Sequence, residues 1–283
     1  MSNSGQSARE PREAYVDARQ LQQILNVLGD RMILIGGQAL AFWASHYLLE
    51  APAIAVTRDV DLLLPGARVT GPLRRRNVDV LAFKEEIRLL AKRLQARVQF
   101  PHERALTVLV GQVVKDLADG KYINIDVLFR VHGDVTSEGI DQRAVEVVMG
   151  AGRFRVMHPL DVLQGRLENV YSLSEKQDEH GLAQLQIAIP TARAFLLDVA
   201  AKDSAAKRPV VLDHIARIES MALSDAGRKV ARRHQLHVAD AIDPRPVAHV
   251  KTFMTRKMPQ LLTLMSSARR SEVRGIIAGA ARS

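Results

Sequence analysis

Asp59 and Asp61 stand one residue apart in Thr57-Arg58-Asp59-Val60-Asp61-Leu62-Leu63-Leu64, a run whose apolar end reads as a β-strand. Side chains alternate along a strand, so the two carboxylates share one face while Val60 and Leu62 point into the core. Adjacent carboxylates repel and raise each other's pKa unless a cation lies between them. Hard oxygen donors at this spacing suit Mg²⁺, which usually takes one or two protein carboxylates plus substrate phosphates. Upstream, the apolar stretch Met32–Ile35 runs into Gly36-Gly37 and then a helical pattern. Glycines there let the backbone approach a ligand, and the first N–H groups of a helix can meet phosphate oxygens. Downstream, Asp126 interrupts the apolar run Tyr122-Ile123-Asn124-Ile125-Asp126-Val127-Leu128, a costly place for a carboxylate that binds nothing. Taken singly, the acidic pair reads as a solvated strand end and the glycines as a tight turn. Together, the three features are the equipment for metal-assisted phosphoryl or nucleotidyl transfer.

Such groups need a sheet to hold them. Leu21, Ile24, Leu25 and Leu28 fall at helical spacing and predict a helix over Ala14–Leu28. Strands are expected at 32–35, 57–64, 105–110, 121–129 and 153–157, with helices from about Gln38 to Tyr47 and over 82–97. Gly29-Asp30, the stretch 51–55 and Pro65-Gly66 read as connections. From Leu160 onward the period is helical, with helices near 160–172, 176–200, 208–220, 224–236, 247–256 and 258–279. The expected fold class is α+β. A tail and helix over 1–30, with 1–12 flexible, precede a small mixed-sheet lobe over 31–158. An all-helical lobe over 159–283 follows, joined near Pro159.

The chain has 283 residues, 47% of them hydrophobic and 25% charged, which excludes a wholly disordered protein. It has no cysteine, so disulfides, thiolate zinc sites and cysteine nucleophiles are excluded. No window reaches the ~18–20 uninterrupted apolar residues of a membrane span, and the first twenty residues lack a secretory-signal pattern. A soluble, cytoplasmic protein with no membrane partner is expected. The net charge of +9 is unevenly placed: residues 201–283 hold 16 basic and 7 acidic side chains, whereas residues 1–200 hold 24 of each. A basic segment joined to a neutral one suggests a polyanionic partner gripped through the C-terminal part, RNA above all. Phe253 is the only aromatic residue after position 201, so phosphate contact is expected there rather than base stacking. Solvated helix faces are the plainer alternative.

Gly36-Gly37, nineteen intervening residues and then Thr57-Arg58-Asp59-Val60-Asp61 resemble the signature of the polymerase-β-type nucleotidyltransferase superfamily. Within it, the chain is similar to the AbiEii-type toxin nucleotidyltransferases of toxin–antitoxin systems. Asp126 falls where that superfamily places its third carboxylate. His158-Pro159-Leu160-Asp161-Val162-Leu163-Gln164-Gly165-Arg166-Leu167 resembles a later family motif, in which an Asp is followed five residues on by a Lys. Lys176-Gln177-Asp178 looks like the basic-x-Asp element that opens the next long helix. The resemblance covers about residues 30–190. It departs from the pattern at Gln38, where the family has Gly, Ser or Thr, at Ala55, where an Arg is common, and at Arg166 in place of the Lys.

The resemblance implies a nucleotidyltransferase lobe and a Mg²⁺-dependent transfer of NMP from an NTP to an RNA hydroxyl. The tRNA 3′ end is the implied acceptor, and the chain would be a toxin neutralised by a protein antitoxin. Asp59, Asp61 and Asp126 would be the catalytic, metal-holding trio, and Gly36, Gly37 and Gln38 would cradle the phosphates. Asp161, Arg166 and Lys176 would touch substrate, although Asp161 also reads as a first-turn helix acid. Arg58 alternates away from Asp59 and reads as a structural ion pair. Arg74, Arg75 and Arg76 read as an exposed loop, and His234 and His237 as surface histidines on one helix. Two other readings stay open: transfer to a small molecule or protein side chain, and a catalytically retired module that only binds RNA.

Overall fold

A computed structural model of the chain describes residues 12–28, 32–48, 58–64, 80–102, 107–131, 136–149, 152–202 and 210–280. The expected connections at 29–30, 51–55 and 65–66, the Arg74–Arg76 run, Ala55, Thr57 and residues 1–11 of the tail lie outside them. Seven strands form one mixed sheet: β1 Ile33–Leu34, β2 Asp59–Leu63, β3 Arg97–Gln99, β4 Leu109–Asp116, β5 Tyr122–Leu128, β6 Val145–Met149 and β7 Gly152–Val156. Their order is β3-β4-β5-β2-β1-β7-β6. β2 runs parallel to β5 and antiparallel to β1, and β1 runs parallel to β7. The remaining neighbours are antiparallel. The fold is α+β.

The helices are α1 Ala18–Leu28, α2 Gly36–Tyr47, α3 Val80–Leu94, α4 Ser137–Arg143, α5 Pro159–Ser172, α6 Glu179–Lys202, α7 Val211–Leu223, α8 Asp225–His234, α9 Met258–Leu264 and α10 Ser267–Ala280. α3 packs on β3 and β4, α1 on β7 and α3, and α2 on β2, α5 and α6. Trp43 Nε1 donates to Met157 O at 2.7 Å, tying α2 to the link between β7 and α5. Buried apolar side chains from the sheet and from the C-terminal helices form one continuous cluster. No helix among the described residues is long and apolar enough to cross a membrane.

Several expectations shift. α1 begins at Ala18 rather than 14, because residues 12–14 are extended: Ala14 N donates to Tyr122 O at 2.8 Å and Tyr122 N to Arg12 O at 3.2 Å. The strand expected over 105–110 lies at Leu109–Asp116, where polar Gln112 and Lys115 broke the apolar run. β3 and α4 were not expected and carry one apolar residue each; β6, Val145–Met149, was not expected either, although four of its five residues are apolar. The helix expected over 258–279 is two, parted where Met265 turns extended (φ −84°, ψ 156°). Near 247–256 a 3₁₀ turn at Arg245–Val247 comes first, and helix begins only at 251, with a π-helical stretch at Phe253–Lys257 that leads into α9.

Candidate active site

The two central parallel strands set the geometry. Asp61 of β2 lies directly opposite Asp126 of β5, and Asp59 opposite Asn124. Register partners project to the same side of a sheet, so one face carries these four polar groups, joined by Gln112 opposite Asp126 on β4. The other face carries Val60, Leu62, Val113, Ile125 and Val127, all fully buried. The same-face expectation for Asp59 and Asp61 holds, and the apolar face anchors the strands so that the acidic face stays fixed.

Gly36 closes one side of this face. Its φ of +67° is left-handed, and a Cβ placed on it would lie 2.1 Å from Asp61 Oδ2, so both the backbone angle and the carboxylate exclude a side chain. Ile35 N donates to Asp61 O at 3.0 Å, which brings the first turn of α2 against β2. Ile35 caps that helix with no side-chain hydrogen bond. The N–H groups of Gly36, Gly37 and Gln38 thus sit at an uncapped, electropositive helix end beside Asp61. Gln38 is 2% exposed and borders a cleft that α2 forms with α1.

Electrostatics mark the same spot. Burial pushes the Asp61 carboxyl up to about 6, with Asp126 and Asp59 adding to the rise and Arg166 and Lys176 opposing it. Burial also raises Asp126, against the hydrogen bond it accepts from Gln112 Nε2 at 2.8 Å. A fourth carboxyl joins them: Glu13 is pushed up to about 7 by burial and then by its hydrogen bond to Asp59. Glu13 arrives there because its backbone pairs with Tyr122, ahead of the first residue of β2. Arg58 holds this segment. Its Nη2 donates to Tyr15 Oη at 3.3 Å and its guanidinium lies 4.9 Å from the centre of that ring. Arg58 thus braces this segment through an aromatic ring, while the charges of Glu13 and Asp59 also attract it.

Arg166 of α5 opposes the rise at Asp61 more than Lys176 does; burial lowers its own pKa and Asp61 restores part of it. Its Nη1 donates to Gln184 Oε1 at 2.7 Å, while its buried Nε has no hydrogen-bond partner. Asn124 Oδ1, in the row beside Asp59, is likewise buried without one. Asp161, expected to touch substrate, lies elsewhere in function. It is fully buried and accepts from Arg143 Nε at 3.1 Å, Arg143 Nη2 at 2.9 Å and Arg217 Nη2. Two guanidiniums occupy its oxygens, so it locks α4, α5 and α7 together and offers nothing to a ligand. His158 caps α5 through Nδ1, which accepts from Leu160 N at 3.1 Å, and burial holds its pKa down at about 4. His234 ends α8 whereas His237 lies beyond it, so they do not share a helix face.

The expected metal-holding trio shares this face, with Asp59 at its exposed end. Among the described residues, no three His, Cys, Asp or Glu side chains converge as a metal-binding group. Asp59, at the exposed start of β2, is hydrogen-bonded with Glu13. What remains suits Mg²⁺ in chemistry, because Asp61 and Asp126 supply the one or two carboxylates that ion usually takes and Asn124 Oδ1 is a buried acceptor without a donor.

A basic helix packs against the C-terminal end of α5. α8 buries Ala226, Gly227 and Val230 and exposes Arg228, Lys229, Arg232 and Arg233. Lys229 Nζ sits 5.2 Å over the ring of Tyr171, near the end of α5, and Lys229 and Arg233 line a small hollow with Gln177, the neighbour of Lys176. The positive face therefore approaches the segment whose Lys176 acts on Asp61. No family model and no curated protein matches the chain.

Proposed function

We propose that this chain is a Mg²⁺-dependent nucleotidyltransferase that moves NMP from an NTP to an RNA hydroxyl. The observation that carries this reading is the pairing of Asp61 with Asp126 across parallel strands, with Gly36 packed on the carboxylate. Asp61 and Asp126 would hold the ion, with Asn124 Oδ1 as a further donor. When bound, Mg²⁺ supplies charge neutralisation and polarisation of phosphate oxygens. The N–H groups of Gly36, Gly37 and Gln38 orient the phosphates, and Arg166 and Lys176 balance the charge of triphosphate and carboxylates. The acceptor oxygen forms a bond to the α-phosphorus as the bond to pyrophosphate breaks. Its proton passes to the carboxylate cluster, where Glu13, pushed up to about 7, is matched to proton uptake near neutrality.

The exposed basic face of α8 supports a polyanionic acceptor over a small cationic one. The resemblance to AbiEii-type toxins extends the proposal to tRNA as acceptor and to a toxin held in check by a protein antitoxin. Incubation with each α-labelled NTP and total tRNA tests it. Label should enter RNA with the wild type, vanish with Asp61→Asn, and fall at least tenfold with Arg232→Glu/Arg233→Glu. Transfer that survives Asp61→Asn refutes the chemistry. Salt-sensitive RNA binding without any transfer selects a retired binding module, and labelling of a small molecule or protein but not RNA refutes the acceptor.

A further inference from the structure

Away from the carboxylates, α1, α2, β6 and the segment at 15–17 enclose a cleft of about 710 Å³, a size that suits a small molecule. Its walls are apolar, with Val16, Leu21, Leu25, Phe42, Val147 and Val148 among them. Six large hydrophobic side chains are exposed among the described residues, and three of them, Tyr15, Val148 and Met149, line this one cleft. Such clustering marks a binding surface rather than scattered exposure.

The lining also says what kind of ligand enters. It holds no Lys or Arg. Its one acid, Asp17, is engaged at the start of α1, where Oδ1 accepts from Gln20 N at 2.7 Å, and Gln22 donates to Asn26 at 2.7 Å. Phe42 and His46, one turn apart on α2, stack with ring planes 5° from parallel and centroids 6.4 Å apart, which puts aromatic rings in the lining, and Ser45 beside them is exposed. We propose that this cleft is a binding site for an uncharged, ring-containing small molecule, distinct from the carboxylate face. The occupant would touch Tyr15, on which Arg58 rests, and Gln38, next to the glycine turn. The site therefore shares Gln38 with the phosphate-binding turn but needs none of the carboxylates.

The test uses N-phenyl-1-naphthylamine, an uncharged aromatic dye, with the full chain. Trp43 is the only tryptophan, and its ring lies 4.9 Å from that of Phe42, so bound dye should quench Trp43 as its own emission rises. One dye per chain is expected. Ser45→Phe at the mouth and Ala41→Phe in the wall should each weaken binding at least tenfold, and 8-anilino-1-naphthalenesulfonate, with its added negative charge, should bind at least tenfold more weakly. Absence of saturable binding, or unchanged affinity in Ser45→Phe, overturns the site. Equal affinity for the anionic dye overturns the assigned ligand class. Should Ala41→Phe fail to fold, Ser45→Phe alone decides.

Discussion

Replacing Asp61 by Asn should make the metal-free protein more stable. The Asp61 carboxyl is raised from an ordinary value of 3.8 to about 6, so the native state binds this proton more tightly than the unfolded chain does. Stability then falls as pH rises from about 4 through 6, and the loss is complete above that window. At roughly 1.4 kcal/mol for each tenfold change in acidity, ionised Asp61 costs the fold about 3 kcal/mol at pH 7.5. The attraction of Arg166 and Lys176 is already contained in that pKa. Asparagine keeps the shape of the neutral acid and removes the cost. Thermal unfolding without divalent cations should show Asp61→Asn melting ~6 °C above wild type at pH 7.5, for a chain of this size. At pH 4.5 the advantage should shrink to about 1 kcal/mol. Saturating Mg²⁺ should raise the melting point of the wild type and leave the variant unmoved. A variant no more stable than wild type at pH 7.5, or an advantage that ignores pH, refutes the claim that this face is held at a cost in stability.

Divalent affinity should rise between pH 5.5 and 8, because Asp61 at about 6 and Glu13 at about 7 are ligands or neighbours of ligands only once deprotonated. Calorimetric Mn²⁺ titration should show the upper part of that rise missing in Glu13→Gln. Asp161→Ala leaves the guanidiniums of Arg143 and Arg217 unpaired; both reach solvent in part, so urea unfolding should report a loss of about 2–3 kcal/mol, below the full cost of a broken buried pair. Adding Arg217→Met should recover part of it. Gly36→Ala puts a methyl into Asp61 Oδ2 and strains a positive φ, which should cost about 2–4 kcal/mol and weaken Mn²⁺ binding at least tenfold. Gly279→Ala, where the added methyl meets nothing within 4 Å, should leave Mn²⁺ binding unchanged.

Much of this was written locally. Alternation along Asp59-Val60-Asp61 fixes both acids to one face whatever the rest of the chain does, and an apolar strand around Asp126 fixes the third. The step from Ile35 through Gly36-Gly37 into α2 is equally local, because the left-handed backbone at the first residue of α2 favours glycine. Asn124 was within reach too, since it shares the parity of Asp126 on β5. What no local pattern contains is the distance across the sheet. That Asp61 faces Asp126 depends on β2 pairing in parallel with a strand more than sixty residues later. That Glu13 reaches Asp59 depends on a stretch of unremarkable composition finding Tyr122. Asp161 shows the converse: its place in the chain reads as a site, and only the arrival of Arg143 and Arg217 from other helices makes it a structural anchor. Residue order sets which face a side chain takes, because that follows from backbone geometry over two to four residues. Which charges become neighbours is decided by packing, because hydrophobic burial chooses the partner strands and helices without reference to the polar groups they carry.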